Sequence, residues 1–192
     1  FWIEPNGWQE NAASTLSRLI NAREDGLNLR AFKLPSIEKF HPQAMDELAV
    51  SEAVAAYALQ ARGARVDPGQ VSKLIGARPN LPDLKDTLSD VADAHAEAGD
   101  RLLSLNPKHE GYQKLRQKLT ELYQIQAAQP SPQRVAEATD GRSQSDAHLT
   151  TNASLHKNKT NKRNHIEAEI IANMERWRWL PQDLGETHIE VN

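Results

Sequence analysis

The stretch that decides the fold is "LLSLNPKHEGYQKLRQKLTELYQ", residues 102–124. Its second half places apolar residues three and four positions apart, which is the spacing of one face of an α-helix. Asn106-Pro107 interrupts the helical pattern, because proline lacks the N–H that a helix interior needs. The stretch therefore predicts a short helix, a break and then a long amphipathic helix. The apolar stripe of the long helix is Tyr112, Leu115, Leu119 and Leu122, and its other face carries Lys114, Arg116 and Lys118.

The residues upstream of this stretch also have helical spacing. Residues 8–26, "WQENAASTLSRLINAREDG", end in Gly26, which suits a helix C-cap. Residues 43–61 predict a second, alanine-rich helix, and a short helix is predicted after Asp67, which can cap it. Residues 83–98 predict a further helix with an acidic outer face. The acidic residues of that face are Asp83, Asp86, Asp90, Asp93 and Glu97.

The C-terminal third of the chain has a different character. Residues 128–165 are rich in Ser, Thr, Asn, Gln and Pro and poor in large apolar residues, so they predict a flexible polar linker. Residues 166–180 return to helical spacing, and "THIEVN" (187–192) alternates like a β-strand. Trp179 lies off the helical stripe that contains Trp177, so it predicts a second apolar partner for this helix. The stripe consists of Ile166, Ile170, Met174 and Trp177.

Together these patterns predict an all-α fold, in which a multi-helix domain is followed by a polar disordered loop and a terminal β-strand. The N-terminal "FWIEPNGW" is predicted to be extended, with Trp2 and Trp8 covering the edge of the helical core. The predicted division is a helical domain over 1–127, a flexible linker over 128–165, a helix and turn over 166–186, and the first strand of a further domain over 187–192.

The composition excludes several classes of function. The 192 residues carry 26 acidic and 23 basic side chains, a net charge of −3, so no overall basic field attracts nucleic acid. There is no cysteine, which excludes disulfides, cysteine-ligated zinc and a thiol nucleophile within these residues. No apolar run approaches the roughly 18 residues that span a bilayer. The chain begins at Phe1 without a signal region, so we expect its true N-terminus, with any export signal or anchor, to lie upstream.

No group of residues has the spacing of a catalytic, cofactor or metal site, so none is predicted. The acidic residues of 83–98 lie three or four apart, which is helix spacing and not that of a calcium loop. The basic cluster 156–165 has no interleaved aromatic side chain, which favours a solvated segment over a phosphate or nucleic-acid contact. Trp177 and Trp179 could contact a glycan, although a wedge between the helical part and the following sheet is the better interpretation. The seven histidines lack metal-site spacing; they are His41, His95, His109, His148, His156, His165 and His188.

Four segments, in this order along the chain, resemble one family. "GWQENAASTLSRLINAREDGLNL" (7–29) and "MDELAVSEAVAAYALQARGARVDP" (45–68) resemble blocks of the scaffold domain of bacterial L,D-transpeptidases of the YcbB type. "LLSLNPKHEGYQKLRQKL" (102–119) resembles the block in which an N/P-x-H-x-x-Y segment precedes a helix. "NMERWRWLPQDLGETHIEVN" (173–192) resembles the junction that leads into the catalytic domain. The resemblance covers about residues 8–123 and 166–192.

The resemblance implies a role within a longer enzyme of the periplasm that acts on peptidoglycan. In this family a cysteine of a YkuD-type β domain attacks a donor stem peptide, and an acceptor stem peptide resolves the acyl-enzyme into a cross-link. The chain is then expected to be the non-catalytic scaffold with the first strand of that β domain, whose catalytic histidine and cysteine lie beyond Asn192. His188 does not match the catalytic histidine.

The implied partners are the catalytic domain encoded downstream and, through it, the peptidoglycan stem peptides, with no cofactor. Family members often carry a peptidoglycan-binding domain between the scaffold and the last helix, and residues 128–165 are too few and too polar to form one. A hypothesis of another class stays open, in which the chain is a stand-alone periplasmic module that binds a protein or peptidoglycan through its helical surface. An enzyme complete within these residues is disfavoured, because no nucleophile with a base is visible.

Overall fold

The computed structural model describes residues 1–67, 70, 79–128 and 147–180, with the backbone alone over 147–160. The described part is mainly helical, as the sequence predicts, and the N-terminal segment predicted as extended forms one small antiparallel hairpin. Its elements are β1 (Ile3–Glu4), β2 (Gly7–Trp8), α1 (Glu10–Ile20), a 3₁₀ turn (Ala22–Asp25), α2 (Ala44–Ala61), α3 (Leu84–Ala92), a second 3₁₀ turn (His95–Glu97), α4 (Ala98–Leu103), α5 (Glu110–Ala127) and α6 (Ala147–Trp179).

The first predicted helix is confirmed and has two parts, α1 and the 3₁₀ turn. Gly26 ends it in the left-handed conformation, with φ of 72°. This conformation strains side chains with a Cβ, which explains the glycine that the sequence predicts as a C-cap. The turn fixes the position of Asp25, the residue directly before the glycine.

Helix α2 confirms the second predicted helix to within one residue. At its N-terminus the carboxylate of Asp46 accepts hydrogen bonds from the backbone N–H of Gln43 at 2.7 Å and from Lys39 Nζ at 2.6 Å. The hydrogen bond from Lys39, followed by the one from Gln43, lowers the pKa of the Asp46 carboxyl group. An acidic group also interacts favourably with the positive end of the helix dipole.

The N-terminal hairpin closes one edge of the core, as predicted. Ile3 pairs with Trp8 across the two strands. Trp2 is completely buried, and its indole Nε1 donates to Ser51 Oγ at 2.9 Å, while Trp8 is half-buried. The backbone N–H of Trp2 also donates to Glu47 Oε2 at 3.0 Å, and the amino group of Phe1 donates to Glu47 Oε1 at 2.7 Å, so several hydrogen bonds attach this segment to α2.

The hydrophobic interior has two parts. The larger core lies among the hairpin and helices α1 to α4, and the smaller core lies between α5 and α6. Helices α1 and α4 approach each other closely at Gly99, where a Cβ would lie 2.6 Å from the carbonyl oxygen of Ser14. Only glycine permits this approach. The smaller core consists of Tyr112, Leu119, Tyr123 and Met174, with Leu115, Ile170, Ile171 and Trp177 packed against it.

One predicted helix, residues 83–98, is wrong in its continuity. Helix α3 ends at Ala92, and a 3₁₀ turn with His95 at φ 48° precedes α4. The break turns the chain back on itself, so that Val91 of α3 and Leu102 of α4 are both buried in the same core. A single straight helix of this length would carry one of them away from that core. The prediction followed the acidic face, which continues in sequence across the break.

The predicted flexible linker over 128–165 is wrong in its second half. Helix α6 begins at Ala147, and not at Ile166, so residues 147–165 are helical. These residues contain neither glycine nor proline, so nothing stops a helix that is nucleated by the packed residues 166–179 from extending towards the N-terminus. The low apolar content of the segment indicates that it is not buried. An exposed segment can still be helical, and this is why the prediction failed.

The remaining predictions of local structure lie outside the described residues. They are the first part of the linker (129–146), the helix after Asp67, and the turn and β-strand after residue 180. None of the helices in the described ranges combines the length and apolar composition that a bilayer span requires.

Candidate functional site

A buried carboxylate lies where α1, α2, α5 and α6 meet. Asp25 has no solvent exposure, and a buried charge is stable only with paired charges and hydrogen bonds. Its Oδ1 accepts from Arg116 Nε at 2.7 Å, and its Oδ2 accepts from the Tyr57 hydroxyl at 2.7 Å. The guanidinium of Arg18 lies 3.4 Å from Oδ2. Two cations therefore compensate one carboxylate.

Asn106 connects the carboxylate to a second tyrosine. Its side-chain amide donates to the Tyr57 hydroxyl at 2.8 Å, and its Oδ1 accepts from the Tyr112 hydroxyl at 2.8 Å. The Tyr112 hydroxyl also lies 3.0 Å from the backbone carbonyl oxygen of Asp25. Asn106 lies at the helix break before Pro107, and its side chain is buried in this interior. We call Asp25, Tyr57, Asn106, Tyr112, Arg116 and Arg178 the Asp25 network.

Arg178 brings the last helix into the network. Its side chain is fully buried, and its Nη2 donates to the carbonyl oxygen of Asp25 and lies 3.1 Å from the Tyr112 hydroxyl. Its Nη1 donates to Glu175 Oε2 at 3.1 Å, one turn earlier on α6. The guanidinium carbon also lies 5.4 Å from the centre of the Tyr112 ring. The end of α6 is thus fixed in position and in rotation about its axis.

Close contacts beside the network also pack α6 against α5 and the 3₁₀ turn. The Trp177 ring lies so close to Gly111 that a Cβ there would overlap it, and the imidazole of His109 lies 5.3 Å from the same indole. Met174 packs beside Gly26, where a Cβ would lie 3.2 Å from its sulfur. Two glycines therefore provide the space into which α6 fits.

The two tryptophans of α6 contact different elements, as the sequence predicts. Trp177 joins the smaller core with α5, whereas Trp179 lies against Gly63, which has φ of 88°, and near Pro79. A Cβ at Gly63 would lie 2.9 Å from the Trp179 ring and 3.4 Å from the Pro79 side chain. The helix is therefore held between two layers, and the following sheet of the wedge interpretation lies outside the described residues.

Burial controls the ionisation of the network. It raises the pKa of the Tyr112 hydroxyl to about 12, and burial together with the nearby Asp25 raises the pKa of Tyr57. Burial lowers the pKa of Arg116, but the hydrogen bond and charge of Asp25 outweigh this and raise the pKa overall. At neutral pH the tyrosines keep their protons and act as fixed hydrogen-bond donors. Neither hydroxyl ionises in this range, so neither acts as a base there.

Stability should fall at alkaline pH because of these tyrosines. The folded pKa of Tyr112, about 12, lies above the ordinary value of 10.0, so the unfolded chain releases its proton first. The contribution is complete below about pH 10 and is lost as the pH rises to 12, by about 3 kcal/mol for two pKa units. Thermal melts followed by circular dichroism between these limits measure it. The Tyr112→Phe variant should show a shallower decline, and an equal slope in both proteins would contradict the assignment.

Sequence reasoning missed two arginines of the network. Arg116 was predicted on the polar face of α5, yet its side chain is three-quarters buried against Asp25. Arg178 was assigned no role at the sequence level, yet it is buried, whereas Arg176 on the same turn is exposed. On the stripe of α6, Met174 is buried and Ile166 is 39% exposed. A signal was present in the alternation "RWRW", since an arginine between two partly buried indoles has reduced access to water.

The other residues considered at the sequence level have ordinary local roles. Asp83 caps α3 by accepting from the backbone N–H of Asp86 at 3.0 Å, and Asp90 pairs with Arg101 at 2.7 Å. His165 is exposed, 3.7 Å from Glu169 on the same helix. Among the described residues, no group of three or more His, Asp and Glu side chains converges as it would around a metal ion. His148, His156 and His188 have no described side chains.

Comparison with known protein families matches residues 1–119 to the family described as "Scaffold domain". The chain belongs to the Scaffold domain family. The match covers well over half of the chain, from the N-terminal hairpin into α5. No curated protein and no solved structure matches the chain.

The matched region of this Scaffold domain contains all of the Asp25 network except Arg178. Asp25, Tyr57, Asn106, Tyr112 and Arg116 therefore belong to the matched domain, and Arg178 is supplied by the helix that follows it. The network is therefore a place where the Scaffold domain contacts the helix C-terminal to it, through Arg178.

Proposed function

We propose that this Scaffold domain is the non-catalytic part of a peptidoglycan L,D-transpeptidase of the YcbB type. In this proposal it holds α6 rigidly, and α6 carries a YkuD-type catalytic domain that begins near residue 187. The ordered resemblance of four sequence blocks supports the enzyme class, and the family match over 1–119 supports the scaffold role. The nucleophilic cysteine and its histidine would then belong to the downstream domain, which cross-links stem peptides in the periplasm.

The single observation that supports the holding role is the burial of Arg178 in the Asp25 network. Two residues further along, at Leu180, the chain leaves the last helix towards the proposed catalytic domain. A helix held only by apolar contacts can slide or rotate by small steps. Hydrogen bonds from one guanidinium to the Asp25 carbonyl oxygen and the Tyr112 hydroxyl define one register. The position and rotation of α6 would then set the orientation of a catalytic domain that begins after this helix.

The Arg178→Met variant tests the holding role, with Arg176→Met as the matched control on the same turn. Arg178→Met keeps much of the side-chain volume but removes donors to buried acceptors, at a cost of about 1–3 kcal/mol. Arg176 is exposed and bonds only to Asn173 Oδ1 at 2.9 Å among the described residues, so its loss should change little. Hydrogen exchange of the amides over 166–179 should accelerate in the first variant alone. Equal exchange in both variants would contradict the holding role.

The enzyme class is tested separately, by reading the source DNA in frame beyond the codon for Asn192. The proposal expects about a hundred further residues of β-type sequence that include a histidine and a cysteine. In that longer protein Arg178→Met should lower stem-peptide cross-linking, while Arg176→Met should not. A stop codon after Asn192 would overturn the enzyme class and leave the stand-alone binding module as the function of this helical domain.

A further inference from the structure

A second feature of the molecule is a cavity that the Asp25 network does not use. It lies between the 3₁₀ turn, the loop that follows it, the end of α5 and the middle of α6, and its volume is about 340 Å³. Pockets of this size hold small organic ligands. Its apolar lining includes Leu19, Leu27, Leu29, Leu34 and Ile171.

Three solvent-exposed arginines lie at the wall of this cavity. Arg23, Arg30 and Arg65 line it together with a single acid, Glu167, so positive charge exceeds negative charge. Glu167 Oε1 accepts from the Tyr123 hydroxyl at 2.8 Å. Among the described residues, none of the three guanidinium groups forms an ion pair with a carboxylate within 4.0 Å, whereas Arg18, one turn away, has two.

Two of the arginines have contacts that position them, and both retain unused donors. Arg65 donates through one nitrogen to the Gly26 carbonyl oxygen at 2.7 Å, and the guanidinium carbon of Arg23 lies 4.5 Å from the centre of the Tyr123 ring. A guanidinium has five N–H donors, so each retains most of its hydrogen-bonding capacity. These groups can therefore bind an anion without large rearrangement.

The loop that carries Arg30 is also fixed. Gln60 of α2 accepts from the backbone N–H of Asn28 at 2.9 Å and donates to its carbonyl oxygen at 2.9 Å. The Asn28 side chain in turn accepts from the backbone N–H of Arg30 at 3.2 Å. A loop ordered before binding loses little conformational entropy when a ligand arrives.

We propose that this cavity binds a small carboxylate ligand with an apolar side chain, such as the C-terminal end of a short peptide. The carboxylate would lie among Arg23, Arg30 and Arg65, where a planar guanidinium can donate two parallel hydrogen bonds to it. The apolar side chain would pack against the leucines and Ile171. The ligand would touch both the body and α6, and the proposal is independent of the enzyme class proposed above.

Isothermal titration of the 192-residue chain with N-acetyl-Ala-Leu, and with the C-terminal amide of the same peptide, tests the proposal. The free acid should bind with a dissociation constant of about 1 mM or below. The amide lacks the charge and should bind at least about tenfold more weakly. Higher salt should weaken only the acid, because exposed charges are screened. Equal binding of acid and amide, or no binding of the acid at about 10 mM, would overturn the proposal.

Variants of the arginines locate the site. Arg30→Gln should weaken binding of the acid about tenfold, and Arg30→Lys should recover part of it, since lysine keeps the charge but loses the paired donors. Arg101→Gln is the matched control, because Arg101 is a half-exposed arginine on α4 outside the cavity. Circular dichroism should show unchanged folding in all three variants. A loss of binding as large in Arg101→Gln as in Arg30→Gln would place the ligand elsewhere and reject this cavity.

Discussion

Replacing Asp25 by alanine should lower the free energy of unfolding by about 3–5 kcal/mol, the cost of removing one partner of a buried ion pair. The change leaves the guanidinium groups of Arg116 and Arg18 next to each other without their carboxylate, and both are mostly buried. It also leaves the Tyr57 hydroxyl without its acceptor, in a position where water has no access. Urea denaturation followed by circular dichroism measures the difference.

The matched control for this substitution is Glu24→Ala. Glu24 precedes Asp25 in the same 3₁₀ turn and also approaches Arg18, at 3.7 Å, but its side chain is 28% exposed. A pair of this kind contributes about 0–1 kcal/mol. Asp25→Asn should fall between the two, because the amide keeps one acceptor but presents an N–H₂ group to Tyr57 or Arg116. Similar losses for Asp25→Ala and Glu24→Ala would show that the buried network does not dominate stability.

The second large effect is expected for Trp2→Ala, at about 3–5 kcal/mol. Trp2 is the largest completely buried side chain of the main core, and its loss leaves a cavity that the hairpin and α2 cannot fill without moving. The substitution also removes the indole donor to Ser51 Oγ. Equilibrium unfolding should show a lower urea midpoint, with the hairpin residues and the first turns of α2 exchanging their amides faster.

Two further variants make the Trp2 result specific. Trp2→Phe keeps most of the apolar volume and loses the indole N–H, so it should cost clearly less than alanine. Phe1→Ala changes the adjacent residue, whose side chain is about half exposed, and it should cost less than about 1 kcal/mol. If Trp2→Ala cost no more than Phe1→Ala, the N-terminal segment would contribute little to the core, contrary to its burial.

The parts of the fold that depend on short-range chemistry were predictable from the sequence. Helical periodicity located the long helix around Leu119. The preference for glycine at a helix C-cap identified Gly26. The missing N–H of Pro107 marked the helix break. Each of these signals acts over a few residues, within which the sequence fixes the backbone. The split between α3 and α4 escaped prediction because it depends on the packing of Val91 and Leu102 in a shared core.

The candidate site could be predicted only in part, because its partners are distant in sequence. Arg116 pairs with a carboxylate 91 positions away, and Arg178 bonds to a carbonyl oxygen 153 positions away. A polar residue on a helix gives the same local pattern whether it faces water or a buried acid. The start of α6 at Ala147 escaped for another reason, since helix propagation needs no apolar residues once a packed turn exists downstream.

The long separation between Asp25 and Arg178 also has a kinetic consequence. During synthesis, the hairpin and helices α1 to α5 leave the ribosome before α6, so the body can form while the Asp25 carbonyl oxygen and the Tyr112 hydroxyl still bond to water. When Arg178 is added, its guanidinium replaces that water. The hydrogen bond it forms joins residues 153 positions apart, the largest separation among the hydrogen bonds of the described residues. A contact that forms after the rate-limiting step changes the folding rate little and mainly slows unfolding. We therefore expect the last helix to set the lifetime of the folded chain more than the speed at which it forms.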